Sequence, residues 1–409
     1  MKIQSISDTL ETQNDTSAQI PVKICMHVLG MVRVDGRVMC EASAFVEAGF
    51  EVTIVDVESE GTRPVEEDIH GIGVQHMIMP SWFISTRFKP WFLVKAVQVI
   101  IRGIVRLLRT KADIYHAHDV MALPACYVAA RLRRKPLIFD AHELPLSDPV
   151  FILWRKLSAL SARLLTAIVA GCAGVITVSP PIAEEMRKRY HIPQVTLIRN
   201  VPPYRVVAKS DRLRQHLVLG SEVRIALYQG NLQHNRGLDR LIRAAAFLEP
   251  DIVIVMMGQG PKGIQAKLEA LIAREGVSDR VRIIPEVPYE ELLDWTSSAD
   301  IGLIVYSSDY SLNVQMCLPN KLFEYLMSGL PVLTSELEAI TEVVKTCDVG
   351  QIVPSLAPSD IGAAINAMLV DTAALARMRN NALEAARHEF HWENESQKLI
   401  QLYHAVLTR

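Results

Sequence analysis

Short, unbroken apolar runs alternate along this chain with longer stretches in which apolar residues return every three or four positions. An unbroken run reads as a strand buried on both faces of a parallel sheet, and the wider spacing reads as a helix laid against that sheet. Strands are predicted at 22–29, 51–57, 113–116, 136–140, 174–178 and 196–199, with helices at 38–48, 122–133, 150–170 and 181–190. Residues 202–222 are polar and irregular, and the alternation restarts after them. The second series has strands at 223–228, 252–257, 281–284, 301–305 and 331–334, and helices at 238–247, 262–275 and 289–298. A last amphipathic helix carrying Trp392 and Tyr403 is predicted over 383–409. Strands alternating with helices dictate parallel sheets with right-handed crossovers. The expected fold is therefore α/β, with two Rossmann-like, doubly wound domains at 21–205 and 206–382 facing across a cleft. Ligands of such sheets bind outside the carboxyl ends of the strands.

Composition narrows the function. The 43 Lys and Arg nearly balance the 45 Asp and Glu, and the calculated pI of about 6.6 argues against nucleic-acid binding, which favours a basic surface. Six scattered cysteines (Cys25, Cys40, Cys126, Cys172, Cys317 and Cys347) form no CxxC pair, which suits a reducing cytoplasm better than a disulfide or zinc framework. Residues 1–20 are polar and have no apolar core, so a disordered tail is expected there and not a signal peptide. The apolar stretch 91–109 contains Lys95, Arg102, Arg106 and Arg109. Four charges disfavour a spanning helix. At helical spacing they form one stripe, which suits either a helix showing its basic side to water or a membrane-surface helix, helped by Trp82, Phe83, Phe88, Trp91 and Phe92. The expected location is cytoplasmic, with weak peripheral attachment to the inner face of the cell membrane as the second expectation.

The polar candidates all follow predicted strands. In the segment 318–333, a proline opens a short helix, a glycine stops it and a buried strand follows. Lys321 and Glu324 share one face near the N-terminus of that helix, where unpaired N–H groups favour a phosphate. A cation for a diphosphate and a carboxylate for ribose hydroxyls suit a nucleotide sugar, whereas an isolated surface Lys–Glu pair would mean nothing. Gly258-Gln259-Gly260 follows an apolar strand and precedes a helix, the setting in which backbone approaches a ligand. His116-Ala117-His118-Asp119 and Asp140-Ala141-His142-Glu143 close two strands of the first half. His116, His118, His142, Asp119 and Glu143 have the chemistry of metal ligands, but not the spacing of a zinc hydrolase, and sugar or phosphate contact is the preferred reading. Alternation turns His116 toward the core and leaves His118 past the strand end. Asp35, Arg37 and Glu41, in the first strand–helix turn, read either as loop and cap polarity or as acceptor contacts.

These residues carry a resemblance. DGRVMCEASAFVEAGFEVTIV at 35–55, ADIYHAHD at 112–119, LIFDAHE at 137–143, VITVSPPIAEEM at 175–186, IRNVP at 198–202, YQGNLQHNRGLDRLI at 228–242 and LPNKLFEYLMSGLPVL at 318–333 are similar to segments of the GT-B glycosyltransferases of the GT4 type. The similarity runs over roughly 22–405. It implies a retaining, metal-independent transfer, with the donor held by the C-terminal domain and the acceptor by the N-terminal one, and a final helix returning to the first domain. On this resemblance His118 lies beside the donor sugar at the reaction centre, and Arg236 and Lys321 neutralise the diphosphate. These three are the catalytic candidates. Glu324 binds ribose, and Gly30 meets donor and acceptor. Gly230, Asn231, Gly258, Gly260, Asn313, Asn320 and Leu322 complete the donor set, and Asp35, Arg37, His142 and Glu143 the acceptor set. No metal and no cofactor is expected, and the donor is expected to be UDP- or GDP-linked.

Two departures qualify the likeness. Counting back from Glu324, Met316 stands where many relatives have a glutamate for the donor sugar, so sugar recognition falls to Asn313, Asn320 or main-chain amides. Asn231 stands where many have a basic residue, which places more weight on Lys321. The competing readings are a nucleotide-sugar epimerase, which converts donor without acceptor, and a non-catalytic nucleotide-sugar-binding protein.

Overall fold

The computed structural model describes residues 21–58, 64–79, 89–145 and 155–408. The expected tail 1–20, the aromatic residues Trp82, Phe83 and Phe88, and the start of the 150–170 helix lie outside these stretches, as do the side chains of Trp91 and Phe92.

Among the described residues the first domain has eight strands: β1 (Lys23–His27), β2 (Glu51–Glu58), β3 (Glu66–Ile69), β4 (Ile72–Ile78), β5 (Ile114–His118), β6 (Leu137–Ala141), β7 (Gly174–Thr177) and β8 (Thr196–Leu197). Their order in the sheet is β3-β4-β2-β1-β5-β6-β7-β8. β1 pairs in parallel with β2 on one side and β5 on the other, so the winding reverses beside β1. That reversal opens a crevice above the carboxyl ends of β1 and β5. The sequence pattern assigned nothing to 58–78, and here β3 and β4 form an antiparallel hairpin. Its two-residue turn, His70-Gly71, has φ of 54° and 84°, the twist that closes a tight hairpin. β3 (EEDI) is short and mostly charged, which hid it.

The second domain has six parallel strands: β9 (Arg224–Gln229), β10 (Ile252–Met257), β11 (Val281–Ile284), β12 (Ile301–Ile304), β13 (Val332–Thr334) and β14 (Gly350–Ile352). Their order is β11-β10-β9-β12-β13-β14. Winding reverses between β9 and β12, so this sheet opens its own crevice toward the first. A single apolar core of Ile, Leu, Val and Met fills the domain. The segment 202–222 is not wholly irregular: it contains a helix, Arg212–Leu217, whose Leu213 joins that core.

The chain end differs from the expectation of one helix over 383–409. Thr372–His388 is one helix and Trp392–Leu407 another. Between them the backbone turns extended, with His391 at φ −141° and ψ 155°. The last helix leaves the second domain and completes the core of the first: Leu399 and Tyr403 are fully buried there, and the Tyr403 ring centroid lies 4.3 Å from that of Phe45. The expected return to the first domain is thus present, in a shorter helix.

Candidate active site

The helix Asn320–Met327 is almost entirely buried, and its first turn faces the crevice of the second sheet. Tyr325 seats it: the hydroxyl accepts from the Gln229 N–H at 3.1 Å and donates to the Leu227 carbonyl at 3.0 Å, both on β9. Gly302 on β12 makes room for the ring, since a Cβ there would meet it at 2.5 Å. With the helix fixed in this way, Lys321 and Glu324 are each only 8 % exposed and border a cavity of about 930 Å³. Gly230, Gly258 and Arg236 from the loops after β9 and β10 form other parts of its wall. Gly230 and Gly258 adopt φ of 110° and 153°. A Cβ at Gly258 would lie 2.0 Å from the Gly230 carbonyl oxygen, so only glycine lets the two loops cross at the cavity floor.

The electrostatics of this pocket are lopsided. The Lys321 ammonium stands 3.6 Å from the Tyr228 ring centroid and 5.6 Å from that of Tyr306. Arg236 lies 5.0 Å from the Tyr306 ring centroid. Lys321 Nζ is buried with no hydrogen-bond partner among the described residues. Burial, and then the nearby Arg236 charge, push Lys321 well below the usual lysine range. Burial raises Glu324, against the opposing pull of Gln229 and Lys321. Gln229 was not anticipated from sequence. Its amide donates to Glu324 Oε2 at 2.5 Å and accepts from the Thr296 hydroxyl at 2.6 Å, which fixes both the amide orientation and the carboxylate. Its place at the end of β9, immediately before Gly230, is the signal that could have found it.

In the first domain the charged residues are gathered behind the cleft surface. Arg37 grips Asp140 through two hydrogen bonds of 2.8 and 3.0 Å, lies 3.1 Å from Glu41, and donates to the Ile198 carbonyl. His142 Nε2 lies 3.0 Å and His118 Nδ1 3.4 Å from the same Asp140 Oδ2. His116 stacks on His118 at 4.2 Å between centroids and meets the Tyr403 hydroxyl at 2.6 Å. Burial would raise Asp140, but Arg37 and His142 outweigh it and hold it well below the carboxylate range. Burial would lower His142, but Asp140 and then Asp119 reverse the effect and raise it to about 9. Burial lowers His118 and takes His116 well down, while burial and Asp140 push Glu41 up to about 8. Ligand atoms of Glu41, His116, His118 and Asp140 lie within 4.8 Å of one another. The Arg37 guanidinium already sits against both carboxylates, so a divalent cation there would face a buried positive charge at close range.

Several predicted residues are placed otherwise than expected. Arg37 cannot reach an acceptor, since its guanidinium is 3 % exposed and committed to Asp140. Leu322 offers nothing to a donor: its side chain lies in the core and its N–H donates to the Pro319 carbonyl at 2.9 Å. Gly260 does not line the cavity, and its lack of a side chain spares a clash with the Leu232 carbonyl, 2.1 Å from where its Cβ would lie. Gly30, Asp35, His118 and His142 also stand off the cavity wall, and Asp35 caps the helix Gly36–Glu47 by accepting from the Val38 N–H. Glu143, Asn231, Asn313 and Asn320 do line it. The two lobes touch around the cavity. Leu144 N–H donates to Asn313 Oδ1 at 3.1 Å, Ser179 Oγ to the Met316 carbonyl at 2.6 Å, and Asn200 to Asn320 at 3.0 Å. Met316 packs against the first-domain core, so this position joins the lobes.

Comparison with known proteins agrees with this geometry. Residues 37–201 match the family described as Glycosyltransferase Family 4, and residues 209–385 match Glycosyl transferases group 1. D-inositol 3-phosphate glycosyltransferase 1 of Catenulispora acidiphila is 25% identical over 393 residues, covering 90% of this chain and 89% of that protein. The D-inositol 3-phosphate glycosyltransferase of Xylanimonas cellulosilytica is 24% identical over 376 residues, covering 88% of each. Among solved structures, a sucrose-phosphate synthase of Thermosynechococcus elongatus superposes with a TM-score of 0.74 at 17% identity, over 95% of this chain and 99% of that one. Anabaena HepE in complex with UDP gives 0.71 at 16% identity, over 94% and 100%. Two crevices facing across one cavity, and two adjoining family matches that together span most of the sequence, lead to one conclusion: the chain belongs to the group 1, GT4-type glycosyltransferases and has their GT-B fold.

Proposed function

We propose that the protein is a retaining, metal-independent glycosyltransferase that moves a sugar from a UDP- or GDP-linked donor to a hydroxyl acceptor in polysaccharide, glycolipid or glycoconjugate synthesis. The observation that carries this reading is the buried Lys321 ammonium, which has no hydrogen-bond partner among the described residues and stands beside Gly230 and Arg236 in an open cavity. A buried ammonium with no anion in hydrogen-bond contact is costly, and a diphosphate would supply that contact. As the bond from the anomeric carbon to the diphosphate oxygen breaks, its electron pair passes to that oxygen. Lys321, Arg236 and the first-turn amides of the helix Asn320–Met327 stabilise the growing charge. The acceptor oxygen bonds to the anomeric carbon, and its proton leaves with the diphosphate. Glu324, held by Gln229, binds the ribose hydroxyls. Glu143 faces the cavity from the first domain and is assigned to the acceptor. The uridine nucleotide is favoured because HepE was solved with UDP and with UDP-glucose, and the inositol-phosphate relatives favour a polyol acceptor. The enzyme is assigned to the cytoplasm.

The test is a melting-temperature screen with UDP, GDP, dTDP, ADP and their sugars, in the presence of a chelator. A donor at a hundred times its Kd adds about 2.7 kcal/mol to apparent stability by mass action. One nucleotide series should stand out without metal. If every nucleotide leaves the transition unmoved, the proposal fails.

A further inference from the structure

One face of the first domain combines an exposed aliphatic stripe with an excess of positive charge. The helix Lys89–Arg109 presents Val94, Val97, Ile101 and Val105 at 43–56 % exposure. Their spacing of three, four and four puts them on a single stripe. The helix Asp119–Arg133 lies beside it, close enough that a Cβ on Gly103 would sit 3.1 Å from that of Ala125, and Arg133 donates to the Leu108 carbonyl. This neighbour shows Val128 and Leu132, one turn apart, at 37 % and 65 % exposure. Both helices cover the same side of the sheet and share one core cluster, so both stripes face outward together.

Charge is the second feature. Residues 89–111 carry six Lys and Arg, 119–135 four and 155–170 three, against the single carboxylate Asp119, in a chain whose charges otherwise balance to −2. Arg109, Lys111, Arg131 and Arg134 are exposed at the C-terminal ends of the two helices, next to Val105 and Leu132. Arg102 and Arg106 bind the edge of the sheet through the Ile78 carbonyl and Glu66. Sequence alone left two readings of this helix, a basic stripe shown to water or a membrane-surface helix; in the fold the most exposed side is aliphatic, with the cations along its margin. No single helix among the described residues is long and apolar enough to cross a membrane.

We propose that this face docks on an anionic lipid bilayer, the aliphatic stripes entering the headgroup boundary and the surrounding cations meeting acidic lipids. The inference is independent of the donor assignment. The helix Asp119–Arg133 begins beside His118 at the carboxyl end of β5, so one rim of the docking face borders the first-domain crevice, and an acceptor carried on a lipid would reach the cleft from that rim.

The experiment is co-sedimentation of the full chain with vesicles of phosphatidylcholine alone or mixed with phosphatidylglycerol. Binding to the mixed vesicles should be at least about tenfold tighter and should weaken with salt. Val97→Asp with Ile101→Asp should abolish binding, and Arg109→Glu with Arg134→Glu should reduce it to the neutral-vesicle level. Melting temperature and far-ultraviolet circular dichroism would confirm that each variant is folded. The two pairs are tested separately, so misfolding of one leaves the other decisive. Absence of binding to mixed vesicles, or binding that survives both folded pairs, overturns the proposal. Capture by an acidic protein or nucleic acid in place of vesicles also overturns it.

Discussion

In the first domain, Arg37 is matched at 2.8 to 3.1 Å by Asp140 and Glu41, and Asp140 in turn serves His118 and His142. In the second, Lys321 is as deeply buried but rests on the faces of Tyr228 and Tyr306, with Arg236 adding a like charge nearby. Both lobes bury charge at the carboxyl ends of a parallel sheet. The first brings its own counter-ion, Asp140, and uses it to hold histidines in place. The second leaves a cation incomplete. The difference separates charge that builds a site from charge that waits for a ligand, and it predicts opposite consequences for mutation.

The largest effect is expected at Lys321. Lys321→Ala should reduce transfer by about 10²–10³-fold, in line with the removal of one group that stabilises a leaving anion. The ligand-free protein should melt at the same temperature or higher, because an unpaired buried charge is gone. A ligand-free variant that is clearly less stable would show that Lys321 is structural and erase the contrast. Arg37→Met should do the reverse. It strands the buried Asp140 carboxylate, so a loss of about 3–5 kcal/mol in urea unfolding is expected, while nucleotide binding by the surviving folded fraction stays normal. Unchanged stability would mean that Arg37 does not hold the first cluster together. Gln229→Leu sharpens the comparison within the second lobe. Loss of one hydrogen bond to a buried carboxylate costs about 1–3 kcal/mol. It should appear as a raised donor KM at nearly constant kcat, because Gln229 acts through Glu324. A fall in kcat alone would contradict that role.

Much of this was legible before the fold was known. Unbroken apolar runs such as 252–257 could only be central parallel strands, and the structure places Ile252–Met257 there, fully buried. Lys321 and Glu324 were legible because helical spacing and a proline-opened first turn are local properties. The β3–β4 hairpin was not, since a short charged edge strand takes its identity from the partner it pairs with. The role of Arg37 was likewise hidden. Its partner Asp140 is 103 residues away, and no local pattern distinguishes an arginine facing an acceptor from one facing inward.

The sequence by itself determined most of the elements, the parallel character of the two sheets and the strand ends from which polar groups emerge, because periodicity and turn chemistry act over a few residues. Tertiary structure alone decided which of those groups are spent on one another and which face the cavity, because desolvation and pairing depend on neighbours brought from distant parts of the chain. Gln229 belongs to that second kind of knowledge, as do the His116–Tyr403 contact and the aliphatic stripe beside the cations of the helix Lys89–Arg109.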